Sequence, residues 1–295
     1  MANPLTQTKP ARDHACLPGL DRAGGPDHGR VGGPDHGKVW PRRPDVQVRL
    51  LGQVDLLVDG GVRAVSGIRR KSVLAVLAVH AGEVVTAERL IDIVWGERVP
   101  RTAVNNLQSH ISFLRRLIEV PSAILARSSG YLLDLGPVGT DLALARRLVR
   151  RAEQTQDPAE VVRLLREAVA LWRGQPLRDV TGSGWTQEQA QQLVELRLSA
   201  HKALAQARLR LGQYAAVVAE LSPLAREHRR DEQLQAQVML ALYRDGRPGG
   251  ALEAYERLRS ILDEELGIEP NPRLRRLREA IVNQDDDLGQ FLPRL

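Results

Sequence analysis

Residues 102–119 read TAVNNLQSHISFLRRLIE. Asn105, Gln108, Ser109, Ser112, Arg115 and Arg116 recur at intervals of three and four. A helix here gathers hydrogen-bonding and cationic side chains on one side. Val104, Leu107, Ile111, Leu114 and Ile118 fall on a second stripe, suited to a core. Amide side chains read base edges, hydroxyls bond base edges or phosphate, and guanidinium groups grip phosphate. The chemistry open to this helix is therefore recognition of a polyanion whose edges carry information. A polar helix face is more often simply solvated, so its neighbours must decide.

Those neighbours form an ordered series. A shorter helix is expected over 86–95, with Thr86 as N-cap, Glu88 in the first turn and Gly96 as its stop. Leu90, Ile91, Val94 and Trp95 form its dry side. Val99, Pro100 and Arg101 make a connector to the longer helix. After it, residues 124–135 read as two short strands around Ser129 and Gly130, a hairpin carrying Arg127 and Tyr131. Helix, connector, longer helix and hairpin is the order of a winged helix-turn-helix.

Upstream, Arg69, Arg70 and Lys71 open a helix running to about residue 81, with Val73, Leu74 and Leu77 inward. Three cations at a helix start oppose the helix dipole, and a phosphate placed there would relieve the conflict. A solvated basic turn is the equal alternative on this segment alone. Folded sequence begins near Val46, with Gly52 at a bulge or turn and Asp59-Gly60 as a hairpin turn, which gives a small N-terminal sheet.

The chain has 295 residues, enough for two cores, and a net charge of +6. The excess lies early: 7 Lys/Arg against 5 Asp/Glu in 1–45, 11 against 8 in 46–135, and 24 against 23 beyond. An anionic partner fits this balance without being required by it. The single cysteine, Cys16, suits a reducing cytoplasm, and no signal peptide is visible. The longest apolar run, at 73–79, is far too short to span a bilayer, so no membrane partner is expected.

Residues 1–45 read as a disordered low-complexity tail with a duplication, GGPDHGR at 24–30 and GGPDHGK at 32–38. His28 and His36 lack a carboxylate or thiol cluster to complete a metal site, so flexible sequence is the better reading. From Asp141 the chain is helical, with helices expected over 141–155, 158–173, 186–211, 214–229, 231–245, 249–266 and 272–283. Breaks fall at Pro158, 174–176, 182–184, Gly212, 246–250 and 267–272. Gly212 and Gly246 stand 34 residues apart, as do Leu221 and Tyr255, which is the tetratricopeptide period. The fold class is thus an α+β winged helix-turn-helix followed by an all-α tetratricopeptide-like domain. The expected partition is tail 1–45, winged helix 46–136, helical domain 137–284 and tail 285–295.

No Walker A loop, Rossmann glycine pattern, HExxH motif or nucleophile elbow occurs. Glu264 and Glu265, and the acidic run at 285–287, read as solvated surface. Trp95, Trp172 and Trp185 read as core anchors. An enzyme is not expected, and neither a cofactor nor a metal is.

Across 46–290 the chain resembles the Streptomyces antibiotic regulatory proteins, actinobacterial activators that join an OmpR-type winged helix to a bacterial transcriptional activation domain. The resemblance rests on VRLLGQVDLLVDG, GEVVTAERLIDIVWG, NNLQSHISFLRRLIE and SSGYLLDL in the first domain. In the second it rests on ALWRGQPLRDV, LVELRLSAHKALAQARLRLGQY and ALYRDGRPGGALEAYERLRSILDEELGIEPNPRLRRL. It implies an activator of an antibiotic biosynthesis cluster that binds promoter direct repeats as two protomers side by side and recruits RNA polymerase holoenzyme through its sigma-factor region. It places 102–119 in the major groove. Gln108, Ser109 and Ser112 would then face base edges, with Gln108 suited to adenine, Asn105 would join the DNA-binding face, and Arg101, His110, Arg115 and Arg116 would meet phosphates. Arg127 and Tyr131 would serve the wing, and Arg69, Arg70 and Lys71 the DNA backbone. The connector, with Gly96, Glu97 and Arg98, falls where this winged-helix class touches polymerase.

One departure stands out. The family pattern SRLRR is SFLRR here, so Phe113 replaces an arginine able to grip guanine. The ring either packs on thymine methyls and shifts the preferred site, the favoured reading, or packs on a neighbouring element. Ala145 replaces a frequent large aromatic. The alternative to an activator is a helical-repeat scaffold or anti-regulator with a degenerate winged helix.

Overall fold

The computed structural model describes residues 45–120, 122–180, 184–285, 288 and 291. Cys16, His28, His36 and the duplication lie outside the described residues, as does the break at 181–183.

Three short strands open the fold as an antiparallel meander: β1 (Val46–Arg49), β2 (Asp55–Val58) and β3 (Gly61–Ala64). Val46 pairs with Val58, and Val58 with Gly61. The β2–β3 turn holds Asp59 and Gly60 at φ 48° and 80°, and two successive positive φ values match the twist of a two-residue hairpin. Helix α1 (Ile68–Val79) follows with a face of Ser72 to Ala78 fully buried. Then come β4 (Val84–Thr86), α2 (Ala87–Trp95), α3 (Ala103–Ile118), β5 (Ile124–Arg127) and β6 (Gly130–Leu133). The second sheet has the order β4-β6-β5. Helices α1, α2 and α3 pack on one another, with α1 and α2 also against β6.

The hairpin turn falls one residue earlier than its composition suggests. Arg127 pairs with Gly130, so Ser128 and Ser129 make the turn and Gly130 begins β6. Gly130 is required for close approach: an added Cβ would overlap the Val85 carbonyl oxygen and lie 2.7 Å from Thr86 Cα.

The helical part runs through α4 (Asp141–Glu153), α5 (Pro158–Ala170), α6 (Gly184–Arg210), α7 (Tyr214–Glu227), α8 (Glu232–Arg244), α9 (Pro248–Leu266) and α10 (Pro272–Val282). Side-chain oxygens of Thr140, Asp157, Asp231 and Asn271 accept backbone N–H bonds at four helix starts. Pro158 and Pro272 occupy first helical positions, where a missing N–H costs nothing. Gly212 and Gly246 take φ 70° and 74° at the equivalent α6–α7 and α8–α9 corners. Leu221 and Tyr255, also 34 residues apart, are both buried. These are two stacked helix pairs, as the repeat requires.

One apolar core joins the winged helix to the first helices beyond it. Leu50, Leu51, Val54, Leu74, Leu107 and Ile111 share a cluster with Leu142, Ala145, Trp172, Leu177 and Leu193. Polar bonds reinforce the joint. The Leu50 and Leu51 N–H groups donate to Asp141 at 2.8 and 3.0 Å, and the Val54 N–H donates to Asp179 at 2.8 Å. The Arg173 N–H donates to the Leu51 carbonyl at 2.8 Å. A second core links α6 to α10, and a smaller one lies among α4, α5 and α6.

Candidate nucleic-acid interface

Helix α3 buries Ala103, Leu107, Ile111, Leu114 and Ile118. The opposite side carries exposed Asn105, Gln108, Ser109, Ser112 and Arg116. Val104 departs from the sequence reading. It is 54% exposed, because Ala103 takes the inward position one residue earlier, and its side chain joins the polar face instead of the core. At the helix start the Asn106 amide donates to Thr102 Oγ1 at 3.1 Å. Glu119 ends the helix in the left-handed region at φ 60°, clasped by Arg63 at 2.6 Å. Ser109 donates back to the Asn105 carbonyl at 2.9 Å, which leaves its oxygen lone pairs outward.

Beside this face, two cations of α1 stack on rings of α2 and α3. The Arg70 guanidinium lies 3.9 Å from the centre of the Phe113 ring, and its Nη1 donates to Ser66 Oγ at 3.1 Å. Arg69 approaches Trp95 at 5.8 Å, and Trp95 stacks on His110 with centroids 6.0 Å apart at 11°. Attraction between a cation and the ring quadrupole holds Arg69 against α2 and Arg70 against α3. Phe113 is partly buried against the core. Burial, then the nearby charges of Arg70 and Arg69, hold the His110 pKa below its ordinary value, so the ring is neutral at pH 7 and can donate one N–H. The start of α1 has no side-chain cap and no acidic residue in its first turn.

The remaining candidates divide. Lys71 pairs with Asp179, which also accepts the Val54 N–H from the β1–β2 loop. Arg115 donates through Nε to the Ile124 carbonyl at 2.8 Å, tying α3 to the first wing strand. Gly96, Glu97, Arg98 and Arg101 are exposed on the connector, where Gly96 ends α2 at φ 54°. Arg127 is exposed at the wing tip, and Tyr131 is half-buried opposite Ala126 on the strand behind it. Asn105, Gln108, Ser109, Ser112 and Arg116 therefore share one surface, whereas Lys71 and Arg115 have structural partners. Sequence reasoning missed Val104 because an apolar residue at helical spacing reads as core. Its signal lay in Ala103, which continues the inward stripe at four-residue spacing.

Residues 68–133 match the family described as transcriptional regulatory protein, C terminal, and residues 140–282 match the bacterial transcriptional activator domain. Fold and interface thus define a transcriptional regulator with a winged-helix reader and a helical activator domain. The chain is 36% identical over 265 residues to the regulatory protein DnrI of Streptomyces peucetius, covering 85% of this chain and 97% of DnrI. It is 34% identical over 246 residues to the regulatory protein AfsR of Streptomyces coelicolor, covering 82% of this chain but 25% of AfsR. Among solved structures it is similar to Mycobacterium tuberculosis EmbR in complex with a low-affinity phosphopeptide. The TM-score there is 0.77 at 30% identity, covering 82% of this chain and 66% of that one. The chain belongs to the Streptomyces antibiotic regulatory protein family.

Proposed function

We propose that this protein is a sequence-specific DNA-binding activator of a secondary-metabolite (antibiotic) gene cluster, working in the cytoplasm on promoter direct repeats. The supporting observation is the α3 surface: five buried residues on one side and Asn105, Gln108, Ser109, Ser112 and Arg116 on the other. Gln108 pairs with an adenine edge, and Val104 meets a thymine methyl beside it. Arg116, Arg101 and Arg127 contact phosphates, and Arg69 and Arg70 extend that contact from the uncapped start of α1. Phe113 reads no base; its ring holds Arg70. Lys71 and Arg115 support the scaffold, and neutral His110 lends one N–H donor.

Two protomers bind side by side, one half-site each, about one helical turn apart. The 46–136 segment reads DNA and 137–284 carries activation. Gly96, Glu97 and Arg98 on the connector face RNA polymerase holoenzyme at its sigma-factor region. Selection of binding sites from random duplex DNA by the purified chain tests this reading. A motif containing two direct repeats is expected; no enriched motif would leave the helical-repeat scaffold as the better account.

A further inference from the structure

Helices α7 and α9, the second members of the two helix pairs, stand apart over α8 and leave an open groove of about 390 Å³. Its floor is apolar, with Val218, Val238, Leu242, Leu258 and Ile261. Its rim is basic. Arg226, Arg229, Arg247 and Arg257 line it with Glu253 as the lone carboxylate. Arg257 lies 3.6 Å from Glu253, and Arg229 lies 3.3 Å from Glu265. Arg226 and Arg247 are exposed and make no ion pair among the described residues.

Glycine borders the groove at the start of α9. Gly249 and Gly250 sit in the first turn of α9, although glycine is among the poorest helix formers. Neither needs to be glycine for space or for φ. A Cβ at 249 would meet nothing within 4 Å, and one at 250 only Leu242 at 3.7 and 3.9 Å. Gly250 lines the groove beside Leu242, so a side chain added there enters its lining.

We propose that this groove docks a peptide segment of a partner protein in which acidic residues flank one or two large apolar side chains. The apolar side chains seat on the floor, where burial removes them and the groove lining from water. The acidic residues meet Arg226 and Arg247, the two rim cations that lack a carboxylate, through bidentate bonds. Nucleic acid fits less well, because a phosphate backbone satisfies the rim and leaves the floor wet. The groove is lined from α7 to α9 and shares no residue with the DNA-reading face of α3.

Selection of random 16-residue peptides displayed on phage against the full chain tests the proposal. The same selection is run on R226E/R247E, and on Gly250→Leu, which adds a side chain to the groove lining. Enriched peptides are expected to combine Asp or Glu with Leu, Ile or Phe, and to bind at least tenfold more weakly to both variants. Both variants are expected to keep wild-type thermal unfolding and wild-type duplex DNA binding, which separates failure of this proposal from failure of the DNA-binding reading. No enrichment, equal binding to the variants, or displacement of the peptides by excess duplex DNA would overturn it.

Discussion

Gln108 and Arg116 stand on the same exposed side of α3, and the different tasks proposed for them are separated by substitution. Gln108→Ala is expected to relax preference at one base pair, losing about 1–3 kcal/mol of discrimination, while affinity for unrelated DNA is kept. Arg116→Ala is expected to weaken binding to every sequence and to lower the slope of log affinity against log salt by about one. Fluorescence anisotropy on matched and mismatched duplexes across a salt series reads both effects. Phe113 provides a third test. Its ring lies under the Arg70 guanidinium, so Phe113→Leu is expected to lower affinity without changing the selected motif, and Phe113→Tyr to preserve both. A changed motif in either variant would return Phe113 to the base-reading face. The polar side of α3 was legible in the sequence because residue type and helical spacing define it. The partners of Arg70, Lys71 and Arg115 were not, since each contact crosses between elements and depends on packing.

The β1–β2 loop is the element that fastens the DNA reader to the helices behind it. Asp141 is buried and accepts the Leu50 and Leu51 N–H groups. Burial outweighs these bonds and the Arg173 charge and pushes its carboxyl up to about 6. A folded-state value above the ordinary one means that folding takes up a proton. Acidification from pH 7 towards 4.5 should therefore add stability from this group, with an upper bound of about 3 kcal/mol from the full shift. The carboxyls held below their ordinary range, Glu119, Glu160 and Glu220, lose their contribution only at lower pH. His80 and His110, held below the ordinary imidazole range by burial first, lose stability on acidification through the same window. The Asp141 share is therefore read as the difference between wild type and Asp141→Asn in urea unfolding at pH 7 and pH 5, with the larger gain, or smaller loss, on acidification expected in the wild type. Lys71→Ala is expected to reduce stability through Asp179 and to leave the salt slope of DNA binding unchanged. At the wing, Gly130→Ala forces a Cβ into the β4 backbone and is expected to cost more than 2 kcal/mol, roughly the scale of a core overpacking, with loss of specific binding.

At the scale of the molecule, helix boundaries were legible within a few residues, because caps, prolines and glycines mark chain ends locally. The continuity of the core across residue 136 was not. Leu50, Leu51, Trp172 and Leu177 are far apart in sequence, and nothing in a periodic pattern states that they meet. The cut between winged helix and helical domain is therefore a boundary of sequence more than of energy. A fragment ending at residue 136 would expose Leu50 and Leu51 and lose their hydrogen bonds to Asp141, and is expected to unfold well below the melting temperature of the full chain by circular dichroism. The shared core holds the winged helix against the first helices of the activator domain. The most direct test of the central claim is capture of sheared genomic DNA by the purified full chain at two salt concentrations, followed by sequencing. Enrichment of a few promoters sharing a direct repeat, retained at the higher salt, is the predicted result. Diffuse capture that vanishes at the higher salt would contradict sequence-specific recognition by α3.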